Sequence, residues 1–327
     1  MKLPLWPRTE FEGLVLQERN DRMLMDSLIT TTTPEPPKIL LYGQGGVGKS
    51  TLAAAAGAVL LDCENGVGNI PGLMRTPYLE TWTDMLNWID EMIASAGNGE
   101  APPVLAIDTI DWMIRRLAEH VIIDLDPAAK GKKDTLCNSM GGAHGGFFKA
   151  RDICVNYLSR LLIPKLARLT ASGTVILLLA HADNRMITSP EGVSQRMAAP
   201  DLPDWAGSIL MEWADAVLYA RFGEQGHREI VTTTTNIVLA KNRYGLPSTL
   251  PLNWGELTNA LTLSMAGGEI TEAETSDLPP VESTEAATSA DVPEPPPAEA
   301  QPAPEPPAPM PTPKSSGRRR LPADGDE

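Results

Sequence analysis

A lysine, a serine and a run of glycines carry the first recognisable chemistry in this chain. The segment Lys38–Thr51 reads KILLYGQGGVGKST, with Gly43, Gly45, Gly46, Val47 and Gly48 leading into Lys49, Ser50 and Thr51. The spacing Gly-x-x-x-x-Gly-Lys-Ser is the P-loop pattern. Its glycines adopt backbone angles closed to other residues, so successive N–H groups turn inward around phosphate oxygens. Lys49 supplies a point charge for the β- and γ-phosphates, and the Ser50 hydroxyl is placed to ligate Mg²⁺. The apolar run Ile39–Tyr42 precedes the loop and Leu52–Ala56 follows it. Strand, loop and helix is the context this motif requires, and the new helix adds its positive N-terminal end. A simple glycine-rich turn would leave Lys49 unexplained.

Three further residues stand where strands should end. Val104–Ile107 is a buried-strand pattern closed by Asp108, the arrangement that holds Mg²⁺ through its water shell. The plainer role for Asp108 is to cap the helix that follows. Ala58–Leu61 delivers Glu64 at its C-terminal end, where it could orient or deprotonate water. Asp111, one helix turn past Asp108, is the competing carboxylate. Val175–Ala180 ends in His181, which should face the same crevice and sense the γ-phosphate or couple it to the next loop.

The elements that must position these groups alternate. Helices are expected at Trp82–Ala94, Asp111–Ile123, Phe148–Leu169 and Trp205–Trp213, interleaved with the strands above and followed by strands at Ala216–Ala220 and Ile230–Ala240. The pattern predicts an α/β P-loop NTPase fold with a mostly parallel central sheet flanked by helices, extended late by an antiparallel hairpin. Residues 127–150 and 182–200 read as polar loops. The first holds Lys130, Lys132 and Lys133 among glycines; the second holds Arg185 and Arg196.

Composition bounds the rest. The chain has 327 residues and a net charge of −15. From Gly267 onward there is no aromatic residue, 14 of the 30 prolines, 13 Asp/Glu and 4 Lys/Arg. Such a segment cannot bury enough apolar surface to offset its ordering entropy, so a disordered acidic Pro/Glu-rich tail is expected over 266–327. Residues 1–36 read as an arm and linker, leaving 37–265 as the ATPase domain. The body keeps a net charge of about −6, which argues against a general nucleic-acid coat and not against a local basic loop. Cys63, Cys137 and Cys154 are odd in number and lack metal-ligand spacing, the pattern of reduced thiols in a cytoplasmic protein. The start has no uninterrupted apolar signal segment, and no apolar run is long enough to span a bilayer.

Four blocks, GQGGVGKST at Gly43–Thr51, LLDCENG at Leu60–Gly66, VLAIDTID at Val104–Asp111 and VILLLAH at Val175–His181, give the chain a specific likeness. It resembles the phage-encoded RecA-like ATP-binding proteins, minimal RecA-core recombinases that assist single-strand annealing. A fifth block, AKNRYGLP at Ala240–Pro247, is similar to the Lys-x-Arg-x-Gly element of hexameric RecA-type helicases. There the two basic residues touch a neighbouring subunit's ATP. The resemblance covers about residues 38–260. It departs from RecA at His181, where RecA has glutamine, and at 182–200, which has no clear counterpart.

The resemblance implies ATP and Mg²⁺ as cofactors, Glu64 as the catalytic carboxylate, and a homo-oligomer, ring or filament, completed by Lys241 and Arg243. It implies single-stranded DNA as a partner for the two basic loops, with a single-strand binding or annealing protein beside it. Other P-loop classes fit less well. Gln44 replaces the lysine that partition-type ATPases need at the start of the loop, no Asn-Lys-x-Asp guanine reader is present, and no arginine lid suggests a small-molecule kinase. The rival from another class is a non-hydrolysing module that binds ATP to order its loops and recruits partners through its tail.

Overall fold

The computed structural model describes residues 35–128, 139–188, 192, 194–223 and 226–266. The N-terminal arm, Cys137, the acidic tail and the expected DNA-binding residues Lys130, Lys132 and Lys133 lie outside the described residues. The chain divides into Met1–Leu278 and Pro279–Glu327, and every described residue belongs to the first unit.

The apolar runs of the sequence form a sheet because strands buried on both faces must be apolar throughout. Strands β1 (Lys38–Gly43), β2 (Val59–Asp62), β3 (Met74–Arg75), β4 (Val104–Asp108), β5 (Val175–Thr188) and β7 (Ala216–Phe222) run parallel. The order across the sheet is β10-β8-β7-β1-β5-β4-β2-β3, with β8 (Arg228–Val231) and β10 (Thr249–Pro251) antiparallel at one side and the short β9 (Lys241–Asn242) pairing antiparallel with the start of β7. The expected antiparallel extension is therefore present.

Alternate strand residues feed two apolar layers. Leu40, Tyr42, Leu105, Ile107 and Leu178 pack under helices α2 (Trp82–Gly97), α3 (Ile110–Glu119), α4 (Lys149–Tyr157), α5 (Ile163–Ala171) and α6 (Asp204–Trp213). Ile39, Leu41, Ala106, Leu177 and Leu179 face α1 (Lys49–Ala55) and α7 (Trp254–Met265). Each fully buried Leu or Ile is worth about 1.5–3 kcal/mol, so the period-2 alternation pins the register of every central strand. The expected helix Phe148–Leu169 is instead α4 and α5 joined by a π turn, Leu158–Leu162. Pro164, early in α5, has no N–H to donate to the previous turn, which accounts for the interruption.

Two further sequence expectations are corrected. Residues 182–200, read as a loop, continue β5 and return as β6 (Ser194–Pro200), a hairpin in which Ala182 pairs with Pro200 and Thr188 with Ser194. The expected long strand Ile230–Ala240 stops at Val231. Beyond it the threonines bond locally: the Thr232 hydroxyl donates to the Pro247 carbonyl at 2.6 Å, and the Thr234 hydroxyl to the Ala240 carbonyl at 2.5 Å. Hydroxyls that take backbone partners compete with a ladder, which is why a β-branched run fails to form one.

Tyr42 ties the sheet to this irregular segment. Its buried hydroxyl lies 2.9 Å from the Ala198 carbonyl of β6 and 2.6 Å from the Leu239 carbonyl, with its proton shared between them. Tyr42→Phe leaves both acceptors short of a donor and should cost about 1–2 kcal/mol in urea denaturation without changing nucleotide affinity. An unchanged midpoint would show that the two carbonyls find water instead.

Candidate nucleotide site

Parallel register brings the chemistry to one edge. Gly43 of β1 lies level with His181 of β5, Asp108 of β4 with Leu179 of β5, and Asp62 of β2 with Asp108. On its other side β1 approaches β7 so closely that a Cβ on Gly43 would sit 2.5 Å from the Ala220 carbonyl oxygen. Only glycine allows that contact, and with it the entry angle of the loop. The loop then needs a left-handed turn at Gly48, whose φ of 109° caps α1.

A cleft of about 160 Å³ lies at this edge, lined by Gly45, Gly46, Lys49, Ser50, Glu64, Asp108 and His181 among others. The Lys49 ammonium is buried and donates to the carbonyls of Gly43 at 2.9 Å and Gln44 at 3.1 Å. Burial pulls its pKa below the usual lysine value, while Asp108, Asp111 and Glu64 pull the other way. The Ser50 hydroxyl donates to Asp108 Oδ2 at 2.5 Å. An alcohol oxygen and a carboxylate oxygen thus already face one another beside the loop. Both are hard donors that suit Mg²⁺, an ion that takes few protein ligands and keeps waters and phosphate oxygens for the rest. Burial pushes the Asp108 carboxyl up to about 6, with Glu64 and Asp62 adding to it and Ser50 and Lys49 opposing. A divalent cation held by these two residues would offset the cost of keeping the buried Asp108 carboxylate charged.

Glu64, His181 and Asp111 form a chain of ionisable groups along the cleft. His181 Nδ1 lies 3.0 Å from Asp111 Oδ2, and the His181 backbone N–H donates to Asp111 Oδ1 at 3.1 Å. On its other side His181 Nε2 lies 3.6 Å from Glu64 Oε1, while the Thr109 hydroxyl donates to Glu64 Oε2 at 3.3 Å. The hydrogen bond to Asp111 raises the His181 pKa against the effect of burial. Asp111 itself is pushed up by burial, yet its His181 contacts hold it below the ordinary carboxylate range. Its side chain is fully buried and bonded to His181, whereas Glu64 keeps a third of its surface open. Of the two competing carboxylates, Glu64 is the one with room for water.

Sequence reasoning missed what aims Glu64. Asp62 is buried, accepts from the Asn65 backbone N–H at 2.7 Å and pairs with Arg75 at 2.9 Å. Asn65 takes a left-handed turn with φ of 62°. The Asp-x-x-Asn spacing at the strand end was the available signal, since an Asp side chain that bonds the N–H of a nearby residue is a standard turn device.

The expected basic residues are placed differently from one another. All three donors of the Lys241 ammonium are used within the chain, on the carbonyls of Met211, Glu212 and Ala214 where α6 ends, at 2.6–2.8 Å. Carbonyls at a helix C-terminus lack partners and attract a cation. Arg243 pairs with Asp215 at 3.3 Å and stays 54% exposed, so of the two it is the one with free surface. In the β5–β6 hairpin Arg185 lies opposite Met197, and Arg196 opposite Met186, so the arginines occupy opposite faces. Arg185 is spent on Asp204 and Asp183; Arg196 is exposed beside exposed Met186.

A P-loop at the end of β1, with an acidic residue closing the buried strand β4 two places away in the parallel sheet, defines the class: a P-loop nucleotide-binding domain of α/β architecture. A family model described as an AAA domain, AAA_24, matches residues 35–244, and the chain belongs to that family. No curated protein matches the chain. Among the described residues no helix is long and apolar enough to cross a membrane.

The His181–Asp111 pair makes stability depend on pH. A histidine whose folded pKa is raised contributes fully below its unfolded value and loses that contribution as pH rises through the folded one. His181→Gln should therefore cost about 1–2 kcal/mol at pH 6 and distinctly less at pH 9, read from denaturation midpoints. An equal cost at both values would mean that no proton on His181 is linked to folding.

Proposed function

We propose that the protein is a RecA-like ATPase that binds and hydrolyses Mg²⁺-ATP and acts on single-stranded DNA, in phage recombination, annealing or replication. The reading rests on one observation. Strand β5 carries His181 in the nucleotide cleft and runs on without a break into the β5–β6 hairpin. A change at the γ-phosphate that moves Glu64 moves His181, and with it the strand that the hairpin extends.

In this mechanism the amides of Gly45 to Thr51 cradle the phosphates and Lys49 draws charge from the β/γ bridge. Ser50 and Asp108 would hold Mg²⁺, which would supply charge neutralisation for the transferring phosphoryl group. Glu64 accepts a proton from the attacking water, or orients it, and Thr109 and His181 fix the carboxylate's angle. Arg196 and Met186 on the outer face of the hairpin, with the lysines at 130, 132 and 133, meet the DNA backbone and bases. Arg243 reaches a neighbouring subunit's γ-phosphate in a ring or filament, while Lys241 stays bound to the carbonyls at the end of α6. In this reading the protein works on DNA in the cytoplasm, beside an annealing or single-strand binding protein. A non-hydrolysing ATP-binding module is the second reading, favoured by the engagement of Glu64 with both Thr109 and His181.

Turnover measured with and without single-stranded DNA tests the proposal. Lys49→Ala should abolish nucleotide binding or turnover. Glu64→Gln should keep binding and lose about 10²–10⁴-fold in rate. Tight ATP binding with no turnover in the wild type would favour the non-hydrolysing module. DNA binding should weaken with salt, and Arg196→Ala together with removal of the three lysines should flatten the slope of log affinity against log salt. No DNA binding at low salt would end the DNA half and leave the ATPase half standing.

Mixing inactive variants tests the contact between subunits. Arg243→Ala and Glu64→Gln should each be nearly inactive and recover activity when mixed. No recovery in mixtures shown to exchange subunits would confine Arg243 to its own chain.

A further inference from the structure

The cleft has two sides, and the side away from the acidic residues holds an unclaimed pair. Asp108, Glu64 and His181 lie on or beside β4, β2 and β5, so the terminal phosphate of a nucleotide along the loop faces them. Its nucleoside end must then lie toward β7 and β8, on the opposite flank of β1. Gly43 is level with Ala220, and β7 runs two residues further to Phe222, which pairs with Arg228 of β8. These ends stand above the loop on that flank. Arg228 Nη1 lies 3.1 Å from where a Cβ on Gly48 would be, with Leu252 at 3.4 Å behind it. The guanidinium carbon sits 6.0 Å from the Phe222 ring, within cation–π range. Both side chains are exposed, Phe222 by half. Among the described residues Arg228 has no ion pair, while its neighbour Arg221 is matched to Glu229 at 2.7 Å.

An exposed arginine with no carboxylate partner among the described residues, leaning on an exposed phenyl ring against the backbone of a phosphate loop, has a flat cationic face to offer. We propose that Arg228, backed by Phe222, is the platform on which the base of the bound nucleotide stacks. The assignment deepens the nucleotide-binding reading above and rests on it. A planar guanidinium stacks on aromatic faces as an ammonium cannot, and Leu252 closes the apolar edge of the platform. Gly48 contributes by lacking a side chain, since a Cβ there would crowd the guanidinium at 3.1 Å.

Full-length wild type, Arg228→Ala, Arg228→Lys and Phe222→Ala are titrated calorimetrically with Mg²⁺-ATP, Mg²⁺-ADP and Mg²⁺-tripolyphosphate, which has the phosphates and no nucleoside. Arg228→Ala should weaken ATP and ADP alike by about tenfold, the scale of one lost base stack. Phe222→Ala should weaken them less, Arg228→Lys should not restore them, and tripolyphosphate should bind all four proteins equally. Both residues are on the surface, so ligand-free melting temperatures should be unchanged. Unchanged nucleotide affinity in Arg228→Ala would overturn the proposal. So would a matching loss of tripolyphosphate affinity rescued by lysine, which would make Arg228 a phosphate ligand. A wild type that binds tripolyphosphate but no nucleotide would also overturn it. One that binds none of the three would overturn the nucleotide reading and the platform together.

Discussion

Asp62, Asp108, Asp111 and Glu64 converge where β2 and β4 end, and placing four carboxyl groups so close together governs the top of the sheet. Like charges in a buried setting must be paired, protonated or neutralised by a cation. Each here has its own answer. Asp62 takes Arg75, Asp111 takes His181, and Asp108 faces Ser50 and Lys49 with its carboxyl pushed up to about 6. Glu64 is the half-open one, held lightly by Thr109 and His181. Cys63 lies buried in the middle of this field, its thiol pushed far up by burial and the surrounding carboxylates, so it is inert. The graded arrangement separates roles: the fully paired groups build the site, and the loosely held one is free to meet water.

The same strands carry charge to two other places. At the lower end of the sheet Lys241, Arg243 and Lys38 gather around the end of α6 and Asp215, where partnerless helix-end carbonyls and a carboxylate attract cations. At the upper end β5 outruns the sheet and becomes a hairpin whose inner face is anchored. Met197 is buried, Arg185 is bound to Asp204, and Asp201 N–H donates to the His181 carbonyl at 2.8 Å. The outer face stays open. A strand that is core for half its length and surface for the rest is a stiff connector, because its first half cannot shift register without unburying Leu177, Leu178 and Leu179.

Local signals read well where the physics was local. Gly43–Thr51, Asp108 and the apolar runs of β1, β2, β4 and β5 each lie within a window of a dozen residues, and their type follows from turn geometry and periodicity. The reading failed where local and tertiary terms competed. The 182–200 hairpin is polar on its outer face and short of apolar alternation, so it looked like a loop. The threonine run after Val231 has strand-forming side chains, but its hydroxyls found backbone partners nearer at hand. Two expected DNA arginines looked equivalent in sequence and stand on opposite faces of the hairpin.

By itself the sequence determined that this chain holds a phosphate loop on an α/β sheet, because a left-handed glycine, a lysine and a buried strand constrain each other over a few residues. Only the tertiary structure decided which charges meet. His181 and Asp111 are 70 residues apart, Lys241 reaches back across 27 residues to Ala214, and Arg228 comes to Gly48 through the strand order β8-β7-β1. Strand order is set by how two apolar layers pack on opposite faces of the sheet, a global sum that no short window of residues contains.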